Sequence, residues 1–120
     1  MASITPSLFF GEFLTKKRIS YEAVQKDEKT IYIFDHIVPN GKNAGKTVVL
    51  GLPIPYDFPQ NAPYGMHIKK NHGLEGKITN VSKSILGDEW DLWSRNVNNW
   101  ETNRTAQYYF DHVNRWLEVE

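Results

Sequence analysis

Cysteine is absent from this 120-residue chain, and that absence excludes more chemistry than any other feature of the composition. Without a thiol the chain has no disulfide, no thiolate metal site and no cysteine nucleophile. Net charge is also lacking, because 14 lysines and arginines balance 14 aspartates and glutamates. Such a balance gives no general attraction to nucleic acid or to an anionic membrane, so we expect neither as a partner.

Long apolar runs are missing as well. No stretch approaches the roughly 20 apolar residues of a membrane span, and no signal-peptide pattern opens the sequence. The hydrophobic share of 40% and the aromatic share of 13% are typical of a globular chain. We therefore predict a cytoplasmic protein with a single domain over residues 1–120.

Histidine offers little for a metal or a cofactor. His67 and His72 are five positions apart with no acidic residue at ligand spacing, so a metal site there is a weak alternative. His36 and His112 lie on a predicted strand and a predicted helix, where hydrogen-bonded structural histidines are more common than ligands. We expect no metal and no cofactor.

The hydrophobic pattern predicts an α+β fold with a helix at each end. Thr5 and Pro6 favour a helix start, and a stripe of apolar residues extends that helix to about Lys17. Extended apolar runs then predict a four-stranded antiparallel meander, with strands near residues 19–25, 30–38, 47–52 and 64–68. A last helix is predicted from about Arg104 to Val119, capped by Thr102 or Asn103 and packed on the sheet.

Proline and tryptophan mark the connections. Four of the six prolines lie between residues 53 and 63, which predicts an ordered loop outside the sheet with Tyr56 and Phe58 buried in it. Residues 69–88 have the composition of a surface loop. Trp90, Trp93 and Trp100 are predicted to form an irregular flap over the sheet, more as core and lid packing than as a ligand-stacking surface.

Two motifs resemble one family. The apolar run from Val48 leads through Pro53, Tyr56, Phe58-Pro59 and Pro63 to Met66, and it resembles the signature between strands three and four of the ubiquitin-conjugating (UBC) fold. The later sequence WDLWSR at residues 90–95, followed by Trp100 and a terminal helix with His112 and Trp116, resembles the bacterial branch called prokaryotic UBC family E. Asn96 stands where that family has a histidine.

The resemblance implies a component of a bacterial ubiquitin-like conjugation pathway. Its expected partners are a ubiquitin-like protein and a ThiF-type activating enzyme, with a JAB-type or other deconjugating peptidase in the same pathway. A conjugating enzyme carries its modifier as a cysteine thioester, which this chain cannot form. Ser94 falls near the place of that cysteine, so the resemblance implies Ser94 as an oxyester carrier, with Arg95 as positive charge beside it. Ser82 and Ser84 are the next candidates.

Three alternatives stay open from the sequence, and the first is the serine-based carrier just described. Ser94 and Arg95 serve structural roles if the chain is a non-catalytic adaptor of the same fold that binds a ubiquitin-like protein or an activating enzyme. A small α+β hydrolase unrelated to that family is the third reading. Whether the chain is a transferase-like enzyme is therefore undecided by its residues alone.

Overall fold

One antiparallel sheet organises residues 8–119, the part of the chain that the computed structural model describes. Its strands are β1 (Glu22–Lys26), β2 (Lys29–Ile37), β3 (Thr47–Pro55), β4 (Met66–Lys69), β5 (Val81–Ser84) and β6 (Gly87–Trp93). They lie in the order β1-β2-β3-β4-β6-β5, and every neighbouring pair is antiparallel. The helices are α1 (Phe9–Lys16) and α2 (Ala106–Glu118). The α+β class and the first four strands agree with the sequence-based prediction.

The prediction of a four-stranded sheet is wrong, because the sheet has six strands. The segment 69–88, predicted to be a surface loop, contains β5, and the predicted tryptophan-rich flap contributes β6. Strand β5 is a sheet edge with the sequence VSKS, and most of its side chains are exposed. A short polar edge strand lacks the apolar alternation that reveals a strand in a sequence.

Pro53 and Pro55 also contradict the prediction that the chain leaves the sheet at residue 53. Strand β3 continues through both, opposite Ile31 and Lys29 of β2. The nitrogen of Tyr56 donates to the carbonyl of Glu28, so the nitrogens at the odd positions before it point away from β2. Strand β4 pairs with β3 only at Leu50 and Gly51, and a missing donor at the two prolines therefore costs no ladder bond.

The loop after β3 is partly as predicted. Phe58 is 5% exposed, and its ring lies 5.7 Å from that of Trp100, whose indole nitrogen donates to the carbonyl of Pro59. Tyr56 is 36% exposed, so the prediction that it is buried is wrong. Trp100 belongs to a short 3-10 helix and covers the loop, while Trp93 is a buried residue of β6.

Both helices pack on one face of the sheet. Strand β2 presents its even-numbered residues to that face: the ring of Tyr32 lies 5.4 Å from Phe10 of α1, and Phe34 stacks on Phe110 of α2. The cap of α2 is Thr105, whose hydroxyl accepts from the nitrogen of Tyr108, instead of the predicted Thr102 or Asn103. The predicted start of the first helix at Thr5 and Pro6 lies outside the described residues.

The opposite face carries a second, smaller apolar cluster. Ile31 is 1% exposed but lies on the odd-numbered face of β2, away from the helices. On the same face, Gly51 of β3 pairs with Ile33 of β2. Because Gly51 has no side chain, the turn between β5 and β6 packs over it. A Cβ at Gly51 would lie 2.9 Å from Leu86, 3.2 Å from Ile31 and 3.3 Å from His67. This close approach brings the β5–β6 turn against β4.

Candidate functional site

Ser94 follows β6 directly, and its backbone nitrogen donates to the carbonyl of Asn80. Arg95 holds this junction together, because its Nη1 donates to the carbonyls of Thr79 (3.0 Å) and Ser94 (2.9 Å). Its guanidinium lies 5.3 Å from the ring of Trp93, and partial burial lowers the pKa of Arg95. Within residues 8–119, no side chain forms a hydrogen bond with the Ser94 hydroxyl, so no base touches that candidate.

Ser84 has the chemical neighbour that Ser94 lacks. Its Oγ lies 2.7 Å from Nδ1 of His67 and accepts a hydrogen bond from the nitrogen of Leu86. The contact arises at the end of β5, where the pairing with β6 shifts register between Lys83 and Ser84. Such irregularities re-aim a side chain relative to the regular strand. Ser82, two residues before Ser84, is exposed opposite Leu92.

His67 is the buried member of this pair. It lies on β4 opposite Gly51, on the face away from the helices, and is 5% exposed. Burial, with a smaller effect of the positive charge of Lys29, lowers the pKa of His67 from 6.5 to about 4. The imidazole is therefore neutral near neutral pH, and one ring nitrogen is free of a proton.

A cavity of about 240 Å³ opens beside His67. Its floor is apolar and its rim carries three lysines and one aspartate; the lining residues are Lys26, Asp27, Lys29, Ile31, Pro53, Tyr64, His67, Lys83, Ile85 and Leu92. Ser84 itself borders an adjacent depression of about 330 Å³. Lys83 lines both spaces, so it connects the two sides of the serine–histidine pair.

The other histidines have structural contacts. His36 lies 2.6 Å from Oδ1 of Asn114, which joins β2 to α2, and burial lowers its pKa. His72 accepts from the nitrogen of Leu74, and burial is the largest cause of its lowered pKa. His112 bonds the carbonyl of Tyr108 one helical turn earlier. In the described part of the chain, no three histidine, aspartate or glutamate side chains are grouped to hold a metal ion.

The fold therefore places the sequence-based candidates at two separate positions. Ser94 and Arg95 are neighbours at one end of β6, whereas Ser84 and His67 meet at the β5–β6 turn. Sequence reasoning named Ser84 as a secondary candidate but did not connect it to His67, because 17 residues separate them along the chain. Only the strand order β4-β6-β5, together with the turn that closes over Gly51, brings them together.

None of the described helices is long and apolar enough to cross a membrane.

An antiparallel sheet with both helices on one face and a proline-bearing passage from β3 to β4 is consistent with an E2-like fold. The model of Prokaryotic E2 family E matches residues 11–120, and the chain belongs to that family. Neither the curated proteins nor the solved structures include a match to this chain. Family membership indicates a role in ubiquitin-like conjugation, with a ubiquitin-like modifier and an activating enzyme as the general partners. It also sets aside the unrelated hydrolase.

Proposed function

We propose that this chain accepts or positions the carboxyl terminus of a ubiquitin-like modifier delivered by a ThiF-type activating enzyme in the cytoplasm. The observation that carries the proposal is the family match over residues 11–120 in a sequence that contains no cysteine. A JAB-type or other deconjugating peptidase would act on the products of the same pathway. Without a thiol, the chain cannot carry the modifier as a thioester.

Any covalent bond to the modifier is then an oxyester or an amide. Ser94 is the oxyester carrier that the family resemblance favours, and Arg95 supplies positive charge beside it. Nη1 of Arg95 is engaged by the carbonyls of Thr79 and Ser94, whereas Nη2 and Nε have no partner among residues 8–119. Those two nitrogens remain as donors for a developing oxyanion at Ser94.

The second candidate function is a non-catalytic adaptor that binds the ubiquitin-like protein or the activating enzyme. One observation favours it: the Ser94 hydroxyl has no hydrogen-bonding base among the described residues, and serine is a weak nucleophile without one. In that case Arg95 only fastens the end of β6 to the segment at Thr79.

An adduct assay separates the two functions. The protein is mixed with the activating enzyme, the modifier and ATP, and its intact mass is measured before and after hydroxylamine. An oxyester resists thiol reductants but is cleaved by hydroxylamine, whereas an amide resists both. Ser94→Ala is the test variant, and Ser20→Ala, at an exposed serine between α1 and β1, is the matched control.

A hydroxylamine-sensitive adduct that disappears only in Ser94→Ala supports the Ser94 carrier. No adduct with any variant, while the modifier or the activating enzyme still binds in a titration, supports the adaptor. If the chain forms no adduct and binds neither the modifier nor the activating enzyme, the proposed function as a whole is contradicted.

A further inference from the structure

Ser84 and His67 have the geometry of a nucleophile with its base. Their side chains are 2.7 Å apart, within the 2.6–3.2 Å range typical of such pairs. The nitrogen of Leu86 donates to the same Oγ, which leaves the hydroxyl hydrogen for Nδ1 of His67 when that nitrogen carries no proton. The register shift after Lys83 holds Ser84 in this position, so the contact is built into the strand and not into a loose loop.

His67 is in the neutral form that a general base requires. Burial and the charge of Lys29 keep the ring neutral near neutral pH, with the pKa at about 4. With the remaining proton on Nε2, the Nδ1 lone pair accepts the hydroxyl hydrogen of Ser84. An imidazolium could not accept that hydrogen.

Access to the pair comes from two sides. Ser84 is half-buried and borders the 330 Å³ depression, whereas His67 borders the 240 Å³ cavity. An acyl donor in the depression would lie beside Ser84, whose hydroxyl is within hydrogen-bond distance of His67. Lys83 borders both spaces, so its positive charge is available on either side of the pair.

We infer that Ser84 is an activated acyl-accepting hydroxyl, an alternative to Ser94 as the carrier of the modifier, and that His67 is its general base. The class of the acyl donor rests on the proposed function: it is the carboxyl terminus of a ubiquitin-like protein, activated as a thioester on the activating enzyme or as an acyl adenylate. The Ser84 Oγ–carbon bond forms, and the carbon–sulfur bond or the carbon–oxygen bond to AMP breaks. The hydroxyl proton moves to Nδ1 of His67, and the thiolate or AMP leaves.

A fluorophosphonate with a short alkyl chain tests the pair without any partner. Attack by Ser84 forms an oxygen–phosphorus bond and releases fluoride, and the proton again passes to His67. We expect one added phosphonyl group on the wild-type chain, assigned to Ser84 by peptide mass mapping. Ser20→Ala, at an exposed serine between α1 and β1 that lines neither space, is the matched control and should react as wild type.

The variants give separate readouts for the two residues. Ser84→Ala should abolish the label, and His67→Gln, which keeps a hydrogen-bonding side chain but cannot take a proton, should slow labelling at least tenfold. His67→Asn serves as a second base-removing variant if His67→Gln does not fold by circular dichroism. Wild-type protein without a label, a label on another serine, or equal rates in wild type and a folded His67 variant would overturn the inference.

Failure of this test differs from failure of the proposed function, because the fluorophosphonate requires neither modifier nor activating enzyme. A labelled Ser84 in a protein that forms no adduct with the modifier would leave the activated hydroxyl in place and remove its proposed donor. A modifier adduct that persists in Ser84→Ala would place the carrier elsewhere and overturn the acyl-accepting role of Ser84.

Discussion

The phenol oxygen of Tyr109 donates a 2.8 Å hydrogen bond to the backbone carbonyl of Gly65, inside the core. Gly65 immediately precedes β4, and its nitrogen donates to the carbonyl of Arg95, just beyond β6. One residue therefore joins α2, the start of β4 and the end of β6. The position of His67, two residues later, depends on this junction.

Tyr109→Phe should lower the free energy of unfolding by about 1–3 kcal/mol, because the ring stays while the carbonyl of Gly65 loses its buried donor. Burial also raises the pKa of Tyr109 well above its usual value of 10.0, as expected for a phenol shielded from water. Denaturant unfolding measures the loss. Tyr64→Phe, at a side chain that is 52% exposed, is the control and should change stability little.

Gly65→Ala should destabilise the protein much more than Gly73→Ala. Both glycines have positive φ, at 67° and 72°, so the conformational strain is shared by the two variants. A Cβ at Gly65 would collide with the carbonyl oxygen of Trp93, whereas one at Gly73 meets nothing within 4 Å. We expect about 1 kcal/mol for Gly73→Ala and at least about 2 kcal/mol more for Gly65→Ala in denaturant unfolding. Equal losses would contradict the collision.

Phe58→Ala should cost about 3–5 kcal/mol, because the ring is buried between Phe10 and Trp100 and its removal leaves a cavity. Tyr56→Ala, two residues earlier on the same loop, removes an exposed ring and should cost less than about 1 kcal/mol. Thermal or denaturant unfolding of the two variants measures the contrast. A loss below about 1 kcal/mol for Phe58→Ala would mean that the loop is not packed.

Stability should depend on the protonation of His67. Its pKa falls from 6.5 to about 4 on folding, so the folded state binds fewer protons than the unfolded state between these values. The stability that the neutral His67 imidazole contributes is fully present above pH 6.5 and is lost as pH falls toward about 4. Between about pH 7 and pH 4, wild type should lose about 2–3 kcal/mol more than His67→Gln.

The comparison of two pH series isolates His67, because His36 and His72 are present in both proteins. Free energies of unfolding by urea at each pH give the two curves. Parallel curves for wild type and His67→Gln would show that the imidazole is not held neutral in the folded state.

Local patterns in the sequence predicted much of this protein. Extended apolar runs in β2 and β3 and the helical stripe of α2 indicated an α+β fold, because such patterns depend only on the residues of the same segment. Pro53 and Pro55 misled the prediction, since the cost of proline in a strand depends on which side its nitrogen faces. That side is fixed by the neighbouring strands β2 and β4, which no local pattern describes.

The sequence by itself determined that no thiol chemistry occurs on this chain, that the fold combines two amphipathic helices with a meander, and that two motifs resemble one family. The tertiary structure alone decided that a polar segment becomes the edge strand β5 and that Ser84 meets His67. Neither could follow from spacing, because an edge strand is stabilised by its partner, and residues distant in sequence become neighbours only through strand pairing and the packing of Leu86 over Gly51.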